Sequence, residues 1–518
     1  MQEPRLDVDD IQGNILAGFN KDFQILVGLK INNVTMAKQW LLAIQDSIAS
    51  TAEVLQFNRL FSAMRKRVGR DPHGLVSTWL NVAFSHGGIA KLTSAAEADS
   101  IPDDAFQHGM PARSGTLGDP ADPSHSESPY YFSNWKVGAP DAIPDILLII
   151  ASDRLELADE AVAHALQATG ASGLAQVYRE VGSTRSDQPG HEHFGFKDGI
   201  SQPAVRGTVS GAPDDYLTPR LIDPSDSHAA SFAQPGRPLV MPGQFVLGYD
   251  GQDSKTGAVR PAIPLPAPWL KNGSFLVFRR LKQDVAAFRN FVKDAERSLK
   301  PLLPDMRAEH IAAAFVGRWP NGEPLVRAKN GPDPEMTGPI AANAFVYANP
   351  MPTIKLAPGV PPDATPLAPK DYDGRICPHW AHIRKVNPRD KVTNLGDEFD
   401  TRTRLMIRRG IPYGKSLPLE AQDDQEDRGL LFLSYQASIV NSFEKITSDW
   451  VNQKFTPSPY GHDPIIGQSD SNDRTRVVHF KKDHEEVPLK IDREWVHPTG
   501  GGYFFTPSLS AIVGKLAK

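Results

Sequence analysis

The chain has 518 residues, of which 40% are hydrophobic and 23% charged, with a net charge of −5 and a single cysteine. Such a length exceeds one ordinary core and predicts two domains, while the balance of residues is that of a soluble globular protein. The mild acidity excludes the basic surface of a nucleic-acid binder, and one cysteine excludes an internal disulfide.

The N-terminal segment MQEPRLDVDD has no basic stretch followed by an apolar one. No signal peptide is visible, so a cytoplasmic location is expected, or a secreted one if an export signal was removed. The longest apolar runs are too short to span a bilayer, and no membrane partner is expected. Residues 24–31 predict a strand and 35–48 a helix, then 79–84 a strand and 89–96 a helix. Residues 145–150 read as a buried strand leading into a helix over 155–169. The second half repeats this order, with a strand at 274–280, a helix at 284–299, a strand at 430–435 and a helix at 437–450. The pairs suggest a duplicated strand–helix unit. Two stretches rich in Pro, Gly, Asp and Ser, 207–242 and 349–373, predict long surface loops, and the domain boundary is expected in the first.

Three segments carry candidate chemistry. Residues 190–203 read Gly-His-Glu-His-Phe-Gly-Phe-Lys-Asp-Gly-Ile-Ser-Gln-Pro. Gly195 and Gly199 permit close backbone approach and place Asp198 on a tight turn. The run reads either as an Asp-Gly turn or as the carrier of a general base. His191 and His193 read as two metal ligands from one strand or as hydrogen-bonded histidines. Residues 377–389 place His379, Trp380 and His382 before Arg384, Lys385 and Arg389. A neutral imidazole there can bind haem iron with cations nearby for propionates, or the segment is a basic loop around a packed histidine. Cys377 reads as a thiolate ligand or as a packed thiol. Residues 408–414, Arg-Arg-Gly-Ile-Pro-Tyr-Gly, imitate a phosphate-binding loop but have one residue too few between the glycines. The arginine pair there either stabilises a developing anion or is solvated.

Together these residues resemble the dye-decolorizing peroxidase family, in its larger fungal and bacterial form. Gly195-Phe-Lys-Asp-Gly199 is similar to the family's Gly-x-x-Asp-Gly motif, continued by Ile200-Ser-Gln-Pro203. Cys377 to Arg389 resembles its proximal-histidine segment and Arg408 to Gly414 its distal-arginine segment. The resemblance also runs through Asp10 to Leu16, Asn81 to Ser85, Leu117 to Asp119, Asn272 to Arg280, Val316 to Pro320 and Asp463 to Gly467. It implies an α+β fold of two ferredoxin-like domains, antiparallel sheets with helices packed on them. Residues 1–215 would carry the Gly-x-x-Asp-Gly loop and residues 240–518 would bind haem.

The resemblance further implies one haem b per chain, held non-covalently because Cys-x-x-Cys-His is impossible here. His382 would be the proximal iron ligand, with Asp463 hydrogen-bonded to it. Asp198 would move the peroxide proton and Arg408 would stabilise charge as the O–O bond breaks. Arg408 rather than Arg409 matches, counting back from Pro412. Leu430 and Phe432 would shape the distal pocket, and Arg384 and Asn387 would support the propionates. Hydrogen peroxide is the expected oxidant, with dyes, phenols or Mn²⁺ as reductants, in a monomer or a homo-oligomer. Trp450 is a candidate surface electron donor, against an ordinary packing role. A base with the ordinary aspartate value, about 3.9, implies activity at acidic pH. Two other readings remain: a haem-binding or haem-handling protein with incidental peroxidase activity, and a non-haem metal protein using His191, His193 and Asp198.

Overall fold

The computed structural model describes all residues except 1, 73, 168–172, 213, 334, 335, 337, 363–366, 460, 470–474, 483 and 484. Parts of the predicted helix 155–169 and of both predicted loops therefore lie outside the described residues. Among the described residues, nine strands form one antiparallel sheet: β1 (Phe23–Ile31), β2 (Thr78–Phe84), β3 (Ile146–Ser152), β4 (Leu174–Ser183), β5 (Ser274–Gln283), β6 (Ile407–Arg408), β7 (Ile411–Tyr413), β8 (Gly429–Gln436) and β9 (Val496–Thr506). Their order is β5-β9-β2-β3-β1-β4-β7-β8, with β6 also on β8, and the β5–β8 pairing closes a barrel. Closure removes the exposed edges that an open sheet would leave.

Each half of the chain contributes one ferredoxin-like set. In the first the order is β2-β3-β1-β4, in the second β9-β5-β8-β7, which is the same arrangement of fourth, first, third and second strands. The two sets meet at single registered pairs, Phe505 with Phe84 and Tyr413 with Gly182. The repeated strand–helix order in the sequence is this duplication.

Alternation along the strands divides the side chains. Leu431, Leu433 and Tyr435 of β8 join Leu26, Leu147, Leu276, Phe278 and Phe504 in one buried cluster. The opposite faces carry the helices, Val34–Ile44 and Leu155–Gln167 on the first half and Val285–Leu299 on the second. Leu430 and Phe432 share this outer face of β8, and this puts them in reach of the site described below.

Three elements differ from the sequence expectation. The predicted helix 89–96 is two short helices, His86–Leu92 and Ala95–Asp99, because Ser85 and Ser94 each cap a new start by accepting an amide hydrogen bond. The predicted helix 437–450 is wound as a wider π-helix over Val440–Glu444 and Ile446–Val451, a form common beside functional cavities. The predicted loop 207–242 is not all surface. It holds strands Phe232–Gln234 and Arg237–Val240, with Ala233, Leu239 and Val240 buried. Pro235 and Gly236 supply the turn between them, with Gly236 at φ 71°.

Candidate active site

The run around Asp198 folds as a compact loop pinned by its own side chains. Gly195 and Gly199 adopt φ of 99° and 71°, values that side chains beyond glycine rarely take. The Asp198 amide donates to the Gly190 carbonyl at 2.9 Å. Asp198 Oδ1 accepts the Gly199 amide at 2.6 Å, which leaves Oδ2 open. Both earlier readings are therefore present in one feature: an Asp-Gly turn that presents a carboxylate.

Arg408 is tied to this loop. Gln202 Oε1 accepts the Arg408 amide at 3.1 Å while Gln202 Nε2 donates to the Arg408 carbonyl at 3.0 Å. Arg408 Nη2 donates to the Ser201 carbonyl at 3.0 Å. Arg409 leaves in the opposite direction, as the strand period requires. Its guanidinium donates to the carbonyls of Asn14 at 2.9 Å and Leu16 at 2.8 Å. Burial pushes it down to about 10. Arg409 is a strut and Arg408 faces the site.

His382 opens the short helix His382–Val386. Its Nδ1 lies 2.7 Å from Oδ2 of Asp463, whose carboxylate is fully buried. Asp463 Oδ1 accepts the amides of Ile465 at 2.8 Å and Ile466 at 3.0 Å. An anion held this way takes the proton on Nδ1, so Nε2 presents its lone pair.

Between the Asp198 loop and His382 lies a cavity, bordered on the loop side by Ser201, Gln202 and Pro203. Phe432, Phe443, Ile446, Val451 and Ile466 give it apolar walls, and Asn387 borders it. It continues past His382, Ile383 and Arg408 into a lobe of about 850 Å³ lined by Asp198, Gly199 and Leu430. A separate polar recess, bounded by Asn14, Asn20 and Gln24, reaches Asp198 and Arg408 from outside. The expected residues Asp198, Arg408, His382, Asn387, Leu430 and Phe432 thus border one space, with Asp463 behind His382.

Arg384 does not join them. It is buried at 2% exposure, donates to Asp371 Oδ2 at 2.9 Å and to the Cys377 carbonyl at 2.7 Å, and lies over the Tyr347 ring at 4.2 Å. The third cation of that segment, Arg389, borders the cavity instead, together with Arg318. Each spends donors on carbonyls: Arg318 on Gly322 and Ala342, both at 2.7 Å, and Arg389 on Gly236 at 2.8 Å and Phe345 at 2.7 Å. Among the described residues neither has a carboxylate within ion-pair distance. Burial pushes Arg318 down to about 9, helped by Arg389 and Arg408, and pushes Arg389 down to about 10. Guanidinium groups short of counter-charge on an apolar cavity are complementary to an anionic ligand.

The remaining candidates fall elsewhere. His193 Nε2 is 2.8 Å from the Tyr413 carbonyl, and burial pushes it down to about 4. His191 Nδ1 is 3.0 Å from the Pro189 carbonyl. Among the described residues no three His, Cys, Asp or Glu side chains gather as a metal site. Burial pushes the Cys377 thiol up to about 12, with the Tyr347 hydroxyl 3.8 Å away, so it is a packed thiol. Trp450 is fully buried and donates to Asn394 Oδ1 at 3.1 Å, which is the packing role and not a surface one.

Sequence reasoning assigned no role to Arg318, Gln202 or Glu192. Arg318 and Gln202 lie inside segments that carry the family resemblance, which is the one signal that could have found them.

Residues 10–186 match a family model described as a DyP dimeric alpha+beta barrel domain. A peroxidase of Mycetinis scorodonius is 31% identical over 99% of this chain and 88% of its own length. A dye-decolorizing peroxidase of Auricularia auricula-judae is also 31% identical, over 99% of this chain and 87% of its own. Among solved structures, an ancestral D-type dye decolorizing peroxidase superposes with a TM-score of 0.75 at 30% identity, covering 99% of this chain and all of that one.

Proposed function

Because the chain belongs to the dye-decolorizing peroxidase family, we propose that its cavity holds one haem b per chain, with His382 as the iron's protein ligand and Asp198 with Arg408 acting on hydrogen peroxide. The protein is a haem peroxidase that oxidises dyes. The observation that carries the residue assignment is the facing arrangement: a histidine whose Nδ1 is held by a buried carboxylate, and across the cavity the Asp198 carboxylate on a loop whose Ser201 and Gln202 hydrogen-bond Arg408.

The residues fit the group. His382 offers a neutral nitrogen donor, the walls are apolar, and Arg318 and Arg389 supply charge for two propionates. A bound haem would accept two oxidising equivalents from peroxide and pass them singly to a donor. Asp198 Oδ2 would take the proton from one peroxide oxygen and return it to the other, a role that needs an ionised carboxylate with one oxygen unoccupied. Arg408, held on the Asp198 loop through Ser201, would sit beside the charge that develops on the departing oxygen. Leu430 and Phe432 would narrow the space on that side and exclude large donors. Phenols and Mn²⁺ belong with dyes as candidate reductants.

A protein that only bound or handled haem would have no use for the distal carboxylate–arginine pair, which favours the enzyme. The test is a haem titration followed by peroxide. One equivalent of haem should develop a Soret band that shifts with one equivalent of peroxide, and His382→Ala should abolish it. A chain that reconstitutes no haem, or a His382→Ala variant with the native spectrum, would overturn the assignment.

A further inference from the structure

Glu192 lines the same lobe as Asp198 and the outer recess as well, yet neither oxygen of its carboxylate is free for chemistry. Oε1 accepts the Phe196 amide at 2.9 Å, and Oε2 accepts the Phe194 amide at 2.9 Å and the side-chain amide of Gln283. The backbone closes the same circle: the Glu192 amide donates to the Phe196 carbonyl at 2.9 Å, and the Glu192 carbonyl accepts the Gly195 amide at 3.0 Å and Arg185 Nη1 at 2.5 Å. The loop that ends in Asp198 is therefore wrapped around one carboxylate. Gln283, the last residue of β5, anchors that carboxylate to the barrel. The side-chain Oε1 of Gln283 is buried without a partner among the described residues, so it is the donor end of this amide, on Glu192, that is engaged.

We propose that Glu192, held by Gln283, is a positioning residue that fixes the Asp198 turn against the cavity. The inference rests on the distal role given to Asp198 above. Three charge-assisted hydrogen bonds to one carboxylate are among the stronger restraints available to a glycine-rich loop. Burial raises the Glu192 carboxyl, and the Asp198 charge adds to this, so the two acids are close enough to sense each other while only Asp198 has an open oxygen. A loop released from the clip would let Asp198 wander by the distances that matter for proton transfer, which costs on the order of 10- to 100-fold in rate.

The test is a double-mutant cycle in the haem-loaded enzyme, reading the pre-steady-state reaction with peroxide and amide hydrogen exchange. Glu192→Gln should slow the peroxide reaction on the order of 10- to 100-fold and speed exchange at Phe194 and Phe196. In the Asp198→Asn background the same change should cost almost nothing further, because the group it positions is gone. Gln283→Met, which removes the anchor and leaves the loop's own bonds, should show the same pattern at smaller size and serves if Glu192→Gln does not fold. Equal losses in both backgrounds, or a native peroxide rate in both variants, would overturn the inference. An Asp198→Asn enzyme with the native peroxide rate would fail earlier, against the role of Asp198 itself.

Discussion

His382 Nδ1 and Asp463 Oδ2 are 2.7 Å apart, and the second oxygen of Asp463 is held by two backbone amides, so the carboxylate cannot turn away from the ring. The pair sets both the tautomer of His382 and its strength as a donor.

Asp463→Asn keeps the shape of this contact and removes its charge. Haem affinity or activity should fall about 10- to 100-fold, and the reduction potential of the bound haem should rise because the imidazole becomes a weaker donor. A spectroelectrochemical titration reads the potential; an unchanged value would show that Asp463 only packs.

Arg408 and Arg409 are neighbours with opposite duties, and leucine at each should separate them. Arg408→Leu should lower the peroxide reaction about 100- to 1,000-fold with little change in thermal stability. Arg409→Leu should leave the peroxide reaction near native and cost about 1–3 kcal/mol of stability, because three carbonyls of Asn14, Ile15 and Leu16 lose their donor. Stopped-flow rates and denaturant melts on both variants check this.

Arg318 and Arg389 face the cavity without ion-pair partners among the described residues, so their replacement should cost haem binding through the propionates. Arg318→Met and Arg389→Met should each weaken haem binding, and each should cost the haem-free protein about 1–3 kcal/mol, because the carbonyls of Gly322 and Ala342, or of Gly236 and Phe345, lose their donor. Haem with its propionates esterified should bind native and variant proteins alike. A loss of the same size for both ligands would show that the arginines support the wall and not the propionates.

Much of this was legible in the sequence. Strand and helix positions follow from the apolar pattern, and the duplicated order of elements follows from their alternation. Asp198, Arg408 and His382 were legible because each sits in a short run with a motif around it. The misreadings have physical causes. Arg384 and Arg389 look equivalent in the sequence, but the first is taken by Asp371, more than ten residues upstream, while the second turns beneath Phe345. Trp450 left a packing role and a surface role open in the sequence, and its burial with the bond to Asn394 is the packing one. The strands at 232–240 were hidden because Pro and Gly, read as loop formers, were instead the turn of a hairpin.

His193 gives the fold an acid limit. It is buried neutral, with its value pushed down to about 4 from 6.5. The unfolded chain therefore takes up this proton first as pH falls. The stabilising contribution is fully present above about 6.5, lost progressively down to about 4, and amounts to about 3 kcal/mol. His193→Gln, which can still donate to the Tyr413 carbonyl, should flatten the melting temperature between pH 6.5 and 4. An unchanged slope would place the acid sensitivity in other groups.

The role of Asp198 is tested most directly by the rate at which the haem-loaded enzyme reacts with hydrogen peroxide, measured by stopped flow for the native chain and for Asp198→Asn. The resting Soret band should be unchanged and the peroxide rate should fall about 100-fold or more. A native rate in Asp198→Asn, with the spectrum intact, would contradict this role, because another group would then be moving the peroxide proton.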